Sequence, residues 1–316
     1  MAAKKIITVF GATGAQGGGL AHAILNDPKS EFSVRAVTRD AGTDKAKELE
    51  KAGAELVTAN IDDPASMEKA LSGSYGAFFV TFFWAHFSAE KETEEAKNMA
   101  AAAKKAGIQH AIWSTLEDVR RFVPLSDNSM PTLQGKYKVP HFDGKGEADH
   151  FFTDAGVPVT NMLASFYWDN MIYFGMGPKK GADGKYAITL PMGDKKMAGI
   201  AAEDIGKCAY GIFKNGKEYI GKTVGIAGGQ LTGGEMASAL SAAIKTEVHY
   251  NSPTPAQYRA FGFPGADDLG NMFQFYHDFE KHCNQSRDIA FSKKLNPELL
   301  SFEMWLGKYA SKIPLD

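Results

Sequence analysis

The chain has 316 residues, 44% of them apolar and 23% charged, so it can bury a sizeable core and is not a disordered chain. Its formal net charge of −2 argues against a polyanion held by bulk electrostatics, and no direct nucleic-acid binding is expected. Cys208 and Cys283 make neither a disulfide framework nor a metal-ligand spacing, the opening MAAKK carries no leader pattern, and the longest apolar run, around 77–85, is too short for a bilayer. These features predict a soluble, cytoplasmic protein in a reducing compartment, without a metal and without a membrane span.

The first motif lies at Ile6–Gly19, IITVFGATGAQGGG. Ile6, Ile7, Val9 and Phe10 read as a strand buried on both faces of a parallel sheet. Gly11, Gly14 and Gly17 follow at intervals of three, and a helix-like segment runs over Leu20–Asn26. A glycine turn feeding a helix N-terminus lets a pyrophosphate approach free N–H groups. Gly11, Thr13, Gly14, Ala15, Gln16 and Gly17 are therefore the candidate phosphate-binding turn.

Phe32–Thr38 reads as the second strand, with Arg39 directly after it. A carboxylate there would bond a ribose 2′-hydroxyl, whereas an arginine suits a 2′-phosphate, so the expected cofactor is NADP(H). Thr43–Ala52 is a helix closed by Gly53, and Glu55–Ala59 is strand three. Asp63-Pro64 opens the next helix, with Asp62 placed to bond an adenine amino group. Tyr75–Thr81 is strand four, whose end brings Thr81 and Phe82 beside the cofactor; Phe83, Trp84 and Phe87 are candidates to wall the site. Ser88–Ala106 is a long helix whose alanine-rich Asn98–Ala106 segment suits close packing, including across a homodimer. Gln109–Ser114 is strand five.

The alternation of strand and helix argues an α/β fold: a doubly wound parallel sheet with helices on both faces. Asp118–Val139 reads as a long loop, and Val139–Phe152 carries helical spacing. Val157–Ala164 is strand six, and the aromatic-rich Ser165–Gly175 follows its carboxyl end, placing Phe166 and Asn170 at the nicotinamide end. Beyond it, Lys185–Leu190, Thr223–Ala227 and Thr246–Tyr250 read as strands. Helices are expected over Glu203–Lys214, Met236–Lys245 behind a Thr232/Glu235 capping box, Pro255–Phe261, Asp268–His282 and Pro297–Ser311. His277, His282 and Cys283 fall on one of these late helices.

Several segments together resemble the NmrA-like family of atypical short-chain dehydrogenases, over nearly the whole chain. They are VFGATGAQGGG at 9–19, VTRD at 37–40, NIDDPASMEKAL at 60–71, HFDGKGEADHFF at 141–152, PMGDKKMAGIAAEDIG at 191–206 and FGFPGADDLGNMFQFY at 261–276. The last two look more like the branch proposed to sense NADPH than like the isoflavone-reductase branch. The resemblance implies a Rossmann-type domain over 1–158, receiving strands from about 191–230, interleaved with a smaller, mostly helical domain over 159–316. It further implies a protein partner, a transcription factor or a metabolic enzyme.

Active short-chain dehydrogenases use Tyr-x-x-x-Lys with a nearby serine. The matching window here is His141-Phe142-Asp143-Gly144-Lys145, which keeps the lysine and puts histidine at the tyrosine position; Ser114 or Thr115 matches the serine's neighbourhood. Two readings follow. The leading one is a redox sensor that binds NADPH through Lys145 and signals through a conformational or partner change. The alternative is an NADPH-dependent reductase of a small aromatic, quinone or carbonyl substrate. In it His141 or Lys145 gives the proton, and Phe82, Phe83, Trp84, Phe166, Tyr167 and Trp168 stack the substrate.

Overall fold

The computed structural model describes residues 3–315; Met1 and Ala2, at the start of MAAKK, and Asp316 lie outside the described residues. The first half runs β1 (Lys5–Val9), α1 (Ala15–Leu25), β2 (Phe32–Thr38), α2 (Asp44–Lys51), β3 (Glu55–Thr58), α3 (Pro64–Leu71), β4 (Gly76–Phe79), α4 (Ala89–Lys105), β5 (His110–Thr115), α5 (Pro140–Asp154) and β6 (Val159–Leu163). The starts of these helices follow local chemistry. The side chains of Thr43, Asp63 and Ser88 accept the N–H groups of Ala46, Ala65 and Lys91, caps worth about 1 kcal/mol each.

The second half runs β7 (Phe166–Tyr167), α6 (Asn170–Tyr173), β8 (Lys179–Lys180), β9 (Tyr186–Thr189), β10 (Met197–Ile200), α7 (Ala202–Lys214), β11 (Thr223–Gly225), β12 (Gly229–Leu231), α8 (Gly233–Ile244), β13 (Val248–Asn251), α9 (Pro255–Arg259), α10 (Ala266–Asp278), α11 (Glu280–Gln285), α12 (Ile289–Leu295) and α13 (Phe302–Tyr309). The expected helix over 268–282 is two helices, broken at Phe279, so His277 and His282 sit on different elements.

The main sheet has seven strands in the order β11-β6-β5-β4-β1-β2-β3, and every neighbouring pair is parallel. Of these strands, β6 and β11 come from residues after 158. The chain leaves after β6, builds β7 to β10, and returns through α7, which packs on α1, to add β11. Two three-stranded sheets, β12-β10-β7 and β13-β9-β8, stand among the helices of the second part.

Side chains of the central strands alternate between two apolar layers. Phe78 and Ile112 join Ile7, Val9 and the inner face of α7, while Ala77, Phe79, Ala111 and Trp113 join α4 and α5 on the other face. Ala96, Ala100 and Ala103 of α4 are buried in that second layer, whereas Ala101 of the alanine-rich segment is exposed. A third apolar cluster, with Trp168, Phe273 and Trp305, holds the C-terminal part. No helix among the described residues is long and apolar enough to cross a membrane.

Candidate functional site

Strand order reverses between β1 and β4, and the carboxyl ends of these strands open a crevice of the kind that takes ligands in doubly wound sheets. The glycine turn lies on one lip. Gly11 has φ +63°, a conformation that side chains resist, and a Cβ on Gly17 would sit 2.5 Å from the Gly11 carbonyl oxygen. Gly14 is the N-cap of α1 and offers no side chain to its first N–H groups. Gly11, Gly14 and Ala15 are exposed and Thr13 is half-buried. Uncapped donors on an exposed, side-chain-free turn are a fit for a phosphate.

Arg39, at the end of β2, is exposed, and no carboxylate pairs with it among the described residues. The neighbouring Asp40 carboxylate accepts the Gly42 N–H at 2.7 Å. Asp62 is exposed but engaged by Lys91 Nζ at 2.5 Å.

Lys145, on α5, reaches the end of β4. Its Nζ donates to Thr81 Oγ1 at 2.5 Å and the Thr81 carbonyl at 3.3 Å, and pairs with Glu92 Oε1 at 2.5 Å. The Thr81 hydroxyl in turn donates to Glu92 Oε1 at 2.5 Å. Close packing of α5 on α4 makes this possible: a Cβ on Gly144 would lie 3.0 Å from the Ala89 carbonyl oxygen.

The start of α5 is fixed from the long loop before it. Val139, the N-cap, has no capping side chain. Asp143 supplies the acceptor instead, taking the N–H groups of Val119 at 2.7 Å, Lys138 at 2.6 Å and Val139 at 3.0 Å. His141, one residue into the helix after Pro140, is thereby held in place. Its ring Nδ1 hydrogen-bonds Asp268 Oδ1, and its backbone N–H donates to Asp268 Oδ2 at 3.1 Å. A carboxylate only accepts, so Nδ1 carries the proton and Nε2 is the nitrogen left to exchange one. The ring lies 4.9 Å from Trp84 and 4.7 Å from Phe142. Tyr137, the tyrosine nearest in sequence, is buried beneath the Arg120 guanidinium.

Ser114, at the end of β5, donates to Gln16 Oε1 at 2.7 Å, and the Gln16 amide donates to the Tyr167 hydroxyl. This chain ties α1, β5 and β7 together across the crevice. In the two-residue strand β7 successive side chains face opposite ways, and Tyr167 is the more exposed of the two. Phe166 is 5% exposed and packs toward Phe273. Trp168 lies in the core against Phe302 and Trp305, and Phe83 is buried as well. Phe82 is exposed, and Asn170 is half-buried at the start of α6.

The NmrA-like family profile matches residues 3–306. The chain belongs to the NmrA-like family. An NmrA-like family domain-containing protein of Dictyostelium discoideum is 26% identical over 98% of this chain and 99% of its own length. The NmrA-like family domain-containing oxidoreductase FrzB of Cladobotryum sp is 28% identical over 85% of this chain and 83% of its own. The crystal structure of NmrA, a negative transcriptional regulator, in complex with NADP shares the fold with a TM-score of 0.78, at 22% identity, covering 98% of this chain and 96% of that one.

In this NmrA-like chain Asp268, Glu92 and Tyr167 are the residues that bond the candidates His141, Lys145 and Gln16. Asp268 stands 127 residues from His141 and no local spacing links them. Glu92 is one of several acids in the AEKETEEAK start of α4, and only packing shows that it alone of them has no exposed surface.

Proposed function

We infer that the protein binds NADP(H) across the β1–β4 crevice and reduces a small aromatic, quinone or carbonyl substrate, with His141 exchanging the proton. The His141–Asp268 pair carries this reading. A histidine held through Nδ1 by a buried carboxylate, four residues before a retained lysine, is an oriented proton donor where the dehydrogenase pattern has tyrosine. When bound, the cofactor supplies the hydride. The glycine turn would hold its pyrophosphate, Arg39 its 2′-phosphate, and Lys145 its nicotinamide ribose. Trp84 shields the His141 ring from water. Relatives named as oxidoreductases are consistent with this chemistry.

The sensor reading has one observation of its own: the Lys145 ammonium is engaged inward by Thr81 and Glu92. Incubating the purified protein with NADPH and a panel that includes menadione and benzaldehyde separates the two. Oxidation of NADPH that needs a panel member and is lost in His141→Phe is the expected result. Tight, selective NADPH binding with no turnover on any member would overturn the reductase and leave the sensor.

Arg39→Asp tests the cofactor assignment separately. It replaces a charge-assisted contact with a like-charge one, a change of roughly 3 kcal/mol, or about 100-fold in Kd. Calorimetry should show that loss for NADPH, with NADH affinity held to within about threefold. Equal NADPH affinity in both proteins would mean that another group reads the phosphate.

A further inference from the structure

The turn before α4 and the first half of that helix place three titratable side chains directly behind Lys145. One ligand-type atom each from His86, Glu92 and Glu95 lie within 4.8 Å of one another. Glu92 has no exposed surface, and its Oε1 is the atom that Lys145 and Thr81 share. Its Oε2 is buried without a hydrogen-bond partner and lies 3.6 Å from His86 Nε2. The same ring nitrogen is 4.0 Å from Glu95 Oε2.

The tautomer of His86 decides what this cluster can hold. Nδ1 accepts the backbone N–H of Ser88 at 3.1 Å, so it has no proton of its own and the ring proton is on Nε2. Nε2 therefore presents a proton, not a lone pair, to the two carboxylates. A metal-bound histidine has the opposite arrangement, its second nitrogen donating to an acceptor. The cluster suits a carboxyl that takes up a proton, not a divalent cation. Burial, with the Glu92 charge second, pushes Glu95 up to about 7, against the pull of Lys91 and Lys145 and with a push from Asp62. Burial also lowers His86, so the ring stays neutral where Glu95 titrates.

We propose that Glu92 is the positioning residue for Lys145, and that proton binding at Glu95, beside Glu92 and His86, couples cofactor binding to pH. The proposal rests on the reading that Lys145 contacts bound NADP(H). The sign follows from the charges. With Glu95 protonated, one carboxylate faces one ammonium and the cluster is balanced. With Glu95 ionised, a second carboxylate stands beside Glu92, strengthens the inward pull on that ammonium and adds negative potential behind a site for a polyanionic cofactor. NADPH affinity should fall as pH rises through neutrality.

The test is calorimetric titration of the full chain and of Glu95→Gln with NADPH between pH 6 and pH 8. Glu95→Gln changes a half-buried helix residue isosterically, and the cofactor's own phosphate titrates alike in both experiments. The ratio of wild-type to variant Kd should rise from near one at pH 6 to roughly three- to tenfold at pH 8. In wild type, heats in phosphate and Tris buffers at pH 7.5 should differ by an amount that shows proton uptake on binding, and the variant should lose that uptake. Parallel pH profiles with equal proton uptake would overturn the proposal and leave the cofactor site standing. Absence of NADPH binding at any pH would overturn both.

Discussion

Asp268→Asn should lower kcat for NADPH-dependent reduction by roughly 100-fold or more while changing NADPH affinity less than about threefold. The carboxylate does two things at once: one oxygen takes the His141 ring proton and the other the His141 backbone N–H. An amide of the same shape can still accept the backbone bond, so α5 keeps its start. It can no longer accept at both positions, because one terminal atom is now a donor. If that donor faces Nδ1, the ring must carry its proton on Nε2, and the tautomer is reversed. The loss should appear in kcat, with the pH profile of kcat altered and KM for the substrate near its wild-type value. His141→Phe, which keeps a ring against Trp84, should lose about as much, and the double variant little more than either. A kcat for Asp268→Asn within about threefold of wild type would remove the pair from the mechanism.

The elements that local chemistry specifies were legible in the chain. The glycine turn demands its backbone from three residues, the caps at Thr43, Asp63, Ser88 and Thr232 each act within one turn, and the buried strands of the sheet are short apolar runs. The retained Lys145 and the histidine before it were visible as a pattern. What they touch was not. The partner of His141 comes from α10, which reaches it only because the chain has crossed between the two parts. The run Phe166-Tyr167-Trp168 shows why the facing of these rings was not legible. Three large apolar rings in a row carry no alternation, so the inward face is set by β10, against which this strand pairs, and by Trp305, behind it. β10 was itself hidden, because MAGI is too short and too small in side chain to stand out as a strand.

Arg287→Met should destabilise the protein by about 3–5 kcal/mol, the cost of leaving a buried carboxylate without its partner. Arg287 is wholly buried and forks onto Glu117, with bonds of 2.6 and 2.9 Å, while its Nε donates to the Ala164 carbonyl at 2.8 Å. Burial raises the Glu117 carboxyl, and the guanidinium more than offsets this and holds it below its ordinary range. Without Arg287 the raising influence of burial is opposed only by the Glu117 backbone N–H and His282, so the variant should take up a proton at Glu117 or unfold. Pairing Arg287→Met with Glu117→Gln removes both charges and should recover a large part of the loss, which urea denaturation of the four proteins of the cycle would measure. A single-variant loss under about 1 kcal/mol would show that the pair is not what fastens this seam. The seam matters for chemistry. Glu117 and Ala164 follow the carboxyl ends of β5 and β6, whereas Arg287 belongs to the C-terminal part that also carries Asp268. The same two bodies supply the two halves of the proton-exchanging pair, so Arg287→Met should lower kcat at temperatures where the protein is still folded. The affinity for NADPH, built from β1, α1 and β2 alone at its phosphate end, should be kept.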